Sequence, residues 1–419
     1  MTRGVELGDV AALIATRPFD TVSTVLRQRA TTRPADAPYL LAVASWCAVI
    51  TDQLSDADEL ADLARRSLDD PAAGGEPAHT IVAALSMVVG AFRGANPIRH
   101  DTLDRLARLL SHECAEHQAI VDVVEPVLEI ANWFTFADRY DDAARVIDRR
   151  LESLEPTDAF GRLCSLCCLA ELDWRRGRWS TTASRLADAM EVAEAGGLET
   201  AYTRSLVARV CAAEGRWADA EHHASTARRS SQQRGDASTL WRLDAIEGFI
   251  ALSSQDHGSA IRSLLPLVAR NERVGLHLAS VRLWDADLIE ALARAGRVDE
   301  AHEQIDRLDA ETAQVPSRYA AGVIARSRAL VTDDPGDAAA LAEESAAIFE
   351  SIGAVFDQAR AELVRSEACA VAGLPSEAAH ARRRARQIFD ALGAPSWSAR
   401  TEASPVEARA RPGPPSPAD

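Results

Sequence analysis

Apolar residues along this chain recur at helical rather than strand spacing. Leu186 and Ala189, Leu264 and Leu267, and Ile305 and Leu308 each lie three apart, so each pair shares one helix face. Runs of Val and Ile of strand length are scarce. Before these amphipathic stretches comes a short polar turn of recurring form. It is clearest in "RRGRWSTTASRL" (175–186), "AEGRWADAEHHA" (213–224) and "RAGRVDEAHEQI" (294–305), with weaker versions at 137–147, 254–264, 332–342 and 372–382. A bulky residue anchors each turn: Tyr140, Trp179, Trp217, His257, Val298, Pro335 and Pro375. The steps between anchors cluster around 39 residues, a solenoid period. Three residues after the anchor stands Ala143, Ala220, Ala260, Ala301, Ala338 or Ala378, and only Thr182 breaks the row. Fainter echoes sit at Phe19 and near Leu54.

This pattern predicts a chain of helical hairpins. Gly177, Gly215, Gly296 and Gly373 fall where a first helix ends and positive φ is needed. The Ser, Asp and Glu residues that follow suit the start of a second helix, through capping and the helix dipole. The Ala row lets paired helices approach closely. First helices are expected near 158–176, 199–214, 237–253, 276–295, 317–331 and 355–372, with partners near 180–195, 218–233, 258–271, 299–313, 336–351 and 376–391. Further pairs are expected over 39–69, 78–116 and 118–154. The fold class is all-α, a right-handed superhelical solenoid of tetratricopeptide-like hairpins with a period of about 39 residues. Three segments follow: 1–135, helical hairpins of irregular phase; 136–403, the repeat array with a C-terminal cap centred on Trp397; and 404–419, a disordered tail rich in Pro and small polar residues.

Composition agrees with helix. Ala and Leu fill most of the 47% hydrophobic quota, with only 5% aromatics. The net charge of −17 argues against nucleic-acid binding by this chain alone. All 46 basic residues are arginine, so neither a P-loop lysine nor a Schiff-base lysine exists. The start "MTRGVELGDVAALIATRPFD" has no signal-peptide core, and the longest apolar stretches stop short of the ~20 residues that span a bilayer. With seven cysteines in no secreted framework, a cytoplasmic protein away from membranes is expected.

Chemistry-bearing clusters are few. In "HECAEH", His112 and His117 are five apart and so miss the i, i+4 face of a zinc-protease helix; with Cys114 they read as a solvated helix with the thiol inward. "CSLCC" (164–168) holds a C-x-x-C without a second pair or a βαβ context. In the repeat register Cys167 shares its slot with Ser205, Ala245, Ala286 and Val323, and Cys211 and Cys369 share another with Ala251, Leu292 and Ala329. These cysteines are expected to pack as small apolar residues. The run "HARRRARQ" (380–387) and the pair His222–His223 read as solvated helix faces. No hydrolase elbow, P-loop or dinucleotide fingerprint occurs, so no enzyme, cofactor or metal is expected.

A surface can be nominated instead. Solenoids bind on the concave side, lined by first helices. Arg204, Trp241, Arg242, Arg282 and Trp284 lie in such helices, and arginines and aromatics are enriched at binding hot spots. Inter-repeat packing is the other reading of both tryptophans.

The segment 353–403 resembles the last repeat of the large ATP-binding LuxR-type transcription regulators. That family closes on a segment matched here by Phe389, Leu392, Gly393, Ala394, Trp397 and Arg400. The resemblance implies a helical sensor region that binds a protein or small-molecule effector. The family's P-loop ATPase and helix-turn-helix have no counterpart in this sequence, so ATPase and DNA-binding activity are not implied. The expected function is the signal-sensing, protein-interaction part of a truncated or split regulator. The alternative is a stand-alone tetratricopeptide scaffold for a peptide or protein.

Overall fold

The computed structural model describes Leu13 and residues 17–69, 76–94, 99–111 and 133–402. The cluster at His112, Cys114 and His117 and the segment 404–419 lie outside the described residues. Every regular element among the described residues is helical. In chain order these are α1 (Phe19–Thr32), α2 (Ala37–Ile50), α3 (Leu54–Arg66), α4 (Glu76–Phe92), α5 (His100–Ser111), α6 (Tyr140–Ser153), α7 (Ala159–Arg175), α8 (Trp179–Gly196), α9 (Ala201–Ala213) and α10 (Trp217–Arg234). There follow α11 (Ala237–Ser253), α12 (His257–Val274), α13 (Trp284–Arg294), α14 (Val298–Gln314), α15 (Arg318–Val331), α16 (Pro335–Ile352), α17 (Val355–Val371), α18 (Pro375–Leu392) and α19 (Pro395–Arg400). Consecutive helices pack as antiparallel hairpins, and successive hairpins stack into an all-α solenoid.

The periodic anchors are the first residues of α6, α8, α10, α12, α14, α16 and α18, and Phe19 and Leu54 likewise begin α1 and α3. Three residues on, the alanines and Thr182 are sealed between the two helices of a hairpin, as are Val22, Ala57 and Leu103. A larger side chain there would force the helices apart. The turn glycines before the anchors are left-handed, with φ between 70° and 77° at Gly177, Gly215, Gly296 and Gly373. Side-chain capping is rarer than the polar clusters suggested. Among the described second helices only Asp256 and Asp334 accept from first-turn amides; the others begin behind Arg or Leu, with first-turn acids such as Asp219 and Asp299 facing the helix dipole.

One first helix departs from expectation. The 276–295 segment becomes helical only from Trp284, after an irregular stretch and a short 3-10 turn at Ala279–Val281. The reason is long-range. The His277 amide donates to the Phe92 carbonyl, and Leu276 and Leu278 pack among Val82, Phe92 and Trp133. The stretch gives up helix to receive the N-terminal helices. Two further ties fasten them: Arg270 with Asp52, and the amides of Arg318 and Tyr319 donating to Asp138.

The other end also folds inward. Trp397 does seal the last hairpin, but it reaches further. It is wholly buried among Phe249, Phe356 and Phe389, and its Nε1 donates to Ser253 Oγ at 3.1 Å. Arg400 stacks on Trp397 at 3.8 Å and donates to the Leu252 carbonyl. A Cβ built on Gly177 would lie 2.7 Å from Val355, so that turn and α17 are in direct contact. The array is therefore curled, with an aromatic plug of Trp174, Trp179, Phe249, Phe356 and Trp397 filling one end of its concavity.

Candidate functional site

What remains open of the concavity lies between the N-terminal helices and this plug. It has two adjoining parts whose linings share Trp241, Arg242 and Val281. The larger, the chamber, has a volume of about 270 Å³. Phe19, Trp46 and Val49 line it from α1 and α2, while Cys164, Tyr202 and Trp241 line it from α7, α9 and α11. Phe19 and Trp46 meet edge to face at 5.7 Å, and the Trp46 Nε1 is buried without a partner. The smaller part, the waist, has about 80 Å³ and is bordered by Glu171, Arg209, Trp284, Asp287, Tyr319 and Arg360 among others.

The waist is laced by ion pairs made within the chain. Arg360 Nη1 meets Asp287 at 2.7 Å and its Nη2 meets Glu290 at 2.6 Å. Glu290 also receives Arg294 and Arg400, and Arg326 meets Asp357 at 2.9 Å. Burial opposes ionisation of Glu290, yet Arg360, Arg294 and Arg400 outweigh it and hold its carboxyl well below the ordinary range. Asp287 shows the opposite balance: burial pushes it up to about 6, only partly offset by Arg360. His257 borders the same network. Burial, reinforced by Arg294, pulls its imidazole down to about 4. Such a network specifies geometry; its charges are consumed before a ligand arrives.

Of the nominated surface residues, Trp241, Arg242 and Trp284 come together on this concavity. Arg204 and Arg282 line neither part. Arg204 bonds Thr200 and approaches His223. The Arg282 side chain is fully buried, donating to the Leu276 carbonyl, Asp285 and Glu311, where it pins the irregular stretch ahead of α13. Sequence reasoning passed over Trp46, Tyr202, Glu171, Arg209 and Arg270. A signal for two of them was present: Glu171, Arg209 and Glu290 each lie eight residues before a turn anchor, so charge recurs in one slot of otherwise apolar first helices. Cys47, Cys167, Cys168, Cys211 and Cys369 are buried, and burial raises Cys167 to about 11. Among the described residues no group of three or more His, Cys, Asp or Glu side chains could hold a metal ion, and no helix is long and apolar enough to cross a membrane.

The fold has solved relatives in shape. A Rap protein crystallised in complex with competence and sporulation factor superposes with a TM-score of 0.63 at 13% identity, covering 85% of this chain and 99% of that one. The apo form of RapI gives 0.44 at 8% identity, over 85% and 98%. The first likeness shows a shared helical-repeat fold. No family model and no curated protein sequence matches the chain.

Proposed function

We propose that this protein is a non-enzymatic helical-repeat scaffold that binds a short peptide segment of a partner in its concavity. One observation carries the reading. The chamber and the waist adjoin at Trp241 and Arg242, placing an apolar recess beside a smaller one bordered by ion-paired side chains on the inner face of the array. Recesses of this kind, with few convergent polar groups, are the usual form of a ligand site. The Rap protein of similar fold was solved with a bound factor, which supports the same use of the fold here.

The test is selection of random peptides displayed on phage against the purified full chain. Enrichment of binders that are lost with Trp241→Ala is the expected result. No enrichment over a protein-free control overturns the reading. A setting in signal-dependent transcription follows only from the resemblance of the closing segment to LuxR-type regulators. Within this fold Phe389, Trp397 and Arg400 already have a role as the plug. Translation of the flanking DNA for a helix-turn-helix remnant tests that setting separately.

A further inference from the structure

Glu171 carries one charge and is approached by three guanidinium groups. Arg209 meets it at 2.5 Å, Arg175 at 3.4 Å and Arg242 at 4.0 Å. Burial opposes its ionisation, but Arg209, Arg175 and Arg242 together hold it at about 2. Arg175 is also drawn toward Asp138. Three arginines therefore share one carboxylate, in a chain whose overall charge is −17. Arg209 wins, because two of its nitrogens donate to Glu171. Arg242 is left with a contact at the limit of an ion pair, a buried Nε without a partner, and a side chain still 23% exposed. It lies over the rings of Tyr202 at 5.1 Å and Trp241 at 5.4 Å, on the wall that chamber and waist share.

The acids bordering the chamber make their contacts with groups other than Arg242. Asp52 is held by Arg270, Asp236 caps α11 through the Thr239 amide, and Glu199 accepts from the Thr200 and Ala201 amides and the Ser230 hydroxyl. Arg242 is thus a cation in want of an anion beside an apolar recess. A 150 Å³ apolar cavity accommodates benzene, so 270 Å³ has room for about ten heavy atoms, the size of a phenyl or indole side chain. An apolar body of that size one carbon away from a carboxylate is what the last residue of a peptide presents.

We infer that the site reads the carboxy terminus of its peptide: a bulky apolar last side chain fills the chamber and its α-carboxylate pairs with Arg242. This rests on the peptide-binding reading above and specifies its ligand.

The experiment is fluorescence polarisation with full-length protein and fluorescein-labelled tetra-alanyl-phenylalanine, as free acid and as carboxy-terminal amide. The acid is expected to bind about tenfold or more tightly than the amide. Arg242→Gln should erase that difference, so that acid and amide bind alike. Cys164→Phe, which fills the chamber, should abolish binding of both forms with an unaltered circular dichroism melt. Equal binding of acid and amide, or no loss with Arg242→Gln, overturns the inference. Competition by 3-phenylpropanoate at the peptide's own affinity also overturns it, assigning the site to free acids. If neither form binds while displayed peptides of internal sequence still bind through Trp241, the inference falls and the scaffold reading stands. If display selects nothing, both fall.

Discussion

Chamber and waist are cut from the same repeat, yet they end in opposite chemical states. Deep in the waist the chain itself supplies the anions: Arg360 holds Asp287 and Glu290, Arg326 holds Asp357, and Arg400 holds Glu290. At the chamber wall Arg242 faces a carboxylate already taken by Arg209. Counting arginines on a concave face would rank the two regions alike. Counting what each guanidinium already holds separates a structural lattice from a point able to bind.

The sharpest way to break this comparison is at the hub of the waist. Glu290→Gln leaves Arg294, Arg360 and Arg400 buried without their shared anion, and should cost about 3–5 kcal/mol in urea denaturation. A loss near zero would mean that the lattice is ornamental. Next come two turn glycines that the sequence treats as equivalents. Gly177→Ala adds a Cβ against Val355 and Leu392 to the strain of φ 70°, and should cost about 2–3 kcal/mol. Gly296→Ala meets open space at φ 77° and should cost only about 1 kcal/mol. Similar losses would deny the contact between turn and plug.

The pH response should be smaller. The folded value of His257 lies below its unfolded 6.5, so the native state binds fewer protons between about 4 and 6.5. Its stabilising share is complete above 6.5 and is lost as pH falls through that window. Solvent reaches part of the ring, so the effect is about 1 kcal/mol, a melting-point drop of roughly 1 °C between pH 7 and pH 5 that His257→Gln removes. The smallest effect is expected at the chamber. Arg242→Gln should alter stability by no more than about 0.5 kcal/mol, because that guanidinium holds little. A loss as large as that of Glu290→Gln would place Arg242 in the lattice and erase the contrast.

Much of the architecture could be read without coordinates because it is periodic. Turn anchors and close-approach alanines recur every 39 residues or so and place the second helices of the array to within a residue. What escaped is aperiodic. Arg270 meets Asp52 and Trp397 meets Ser253 across 218 and 144 residues, and such a pairing leaves no trace at the repeat's spacing. Trp241, Arg242 and Trp284 could be nominated from register alone. Arg282 could not be told from them, since only Glu311 and Asp285 reveal that its charge is spent.

The clasp between Trp397, Arg400 and the end of α11 has a temporal side. A linear stack whose units touch only their neighbours can fold as it is made and can fray from either tip. Here Trp397 and Arg400 tie the last described hairpin back to α11, so the hairpins between them should unfold together rather than repeat by repeat. The closure also awaits residues near the end of the chain. During synthesis α7, α8 and α11 must stand with their inner aromatic residues, Trp174, Trp179 and Phe249, partly uncovered until residue 400 is made. Late, long-range contacts of this kind slow the final step and lengthen the exposure of sticky surface.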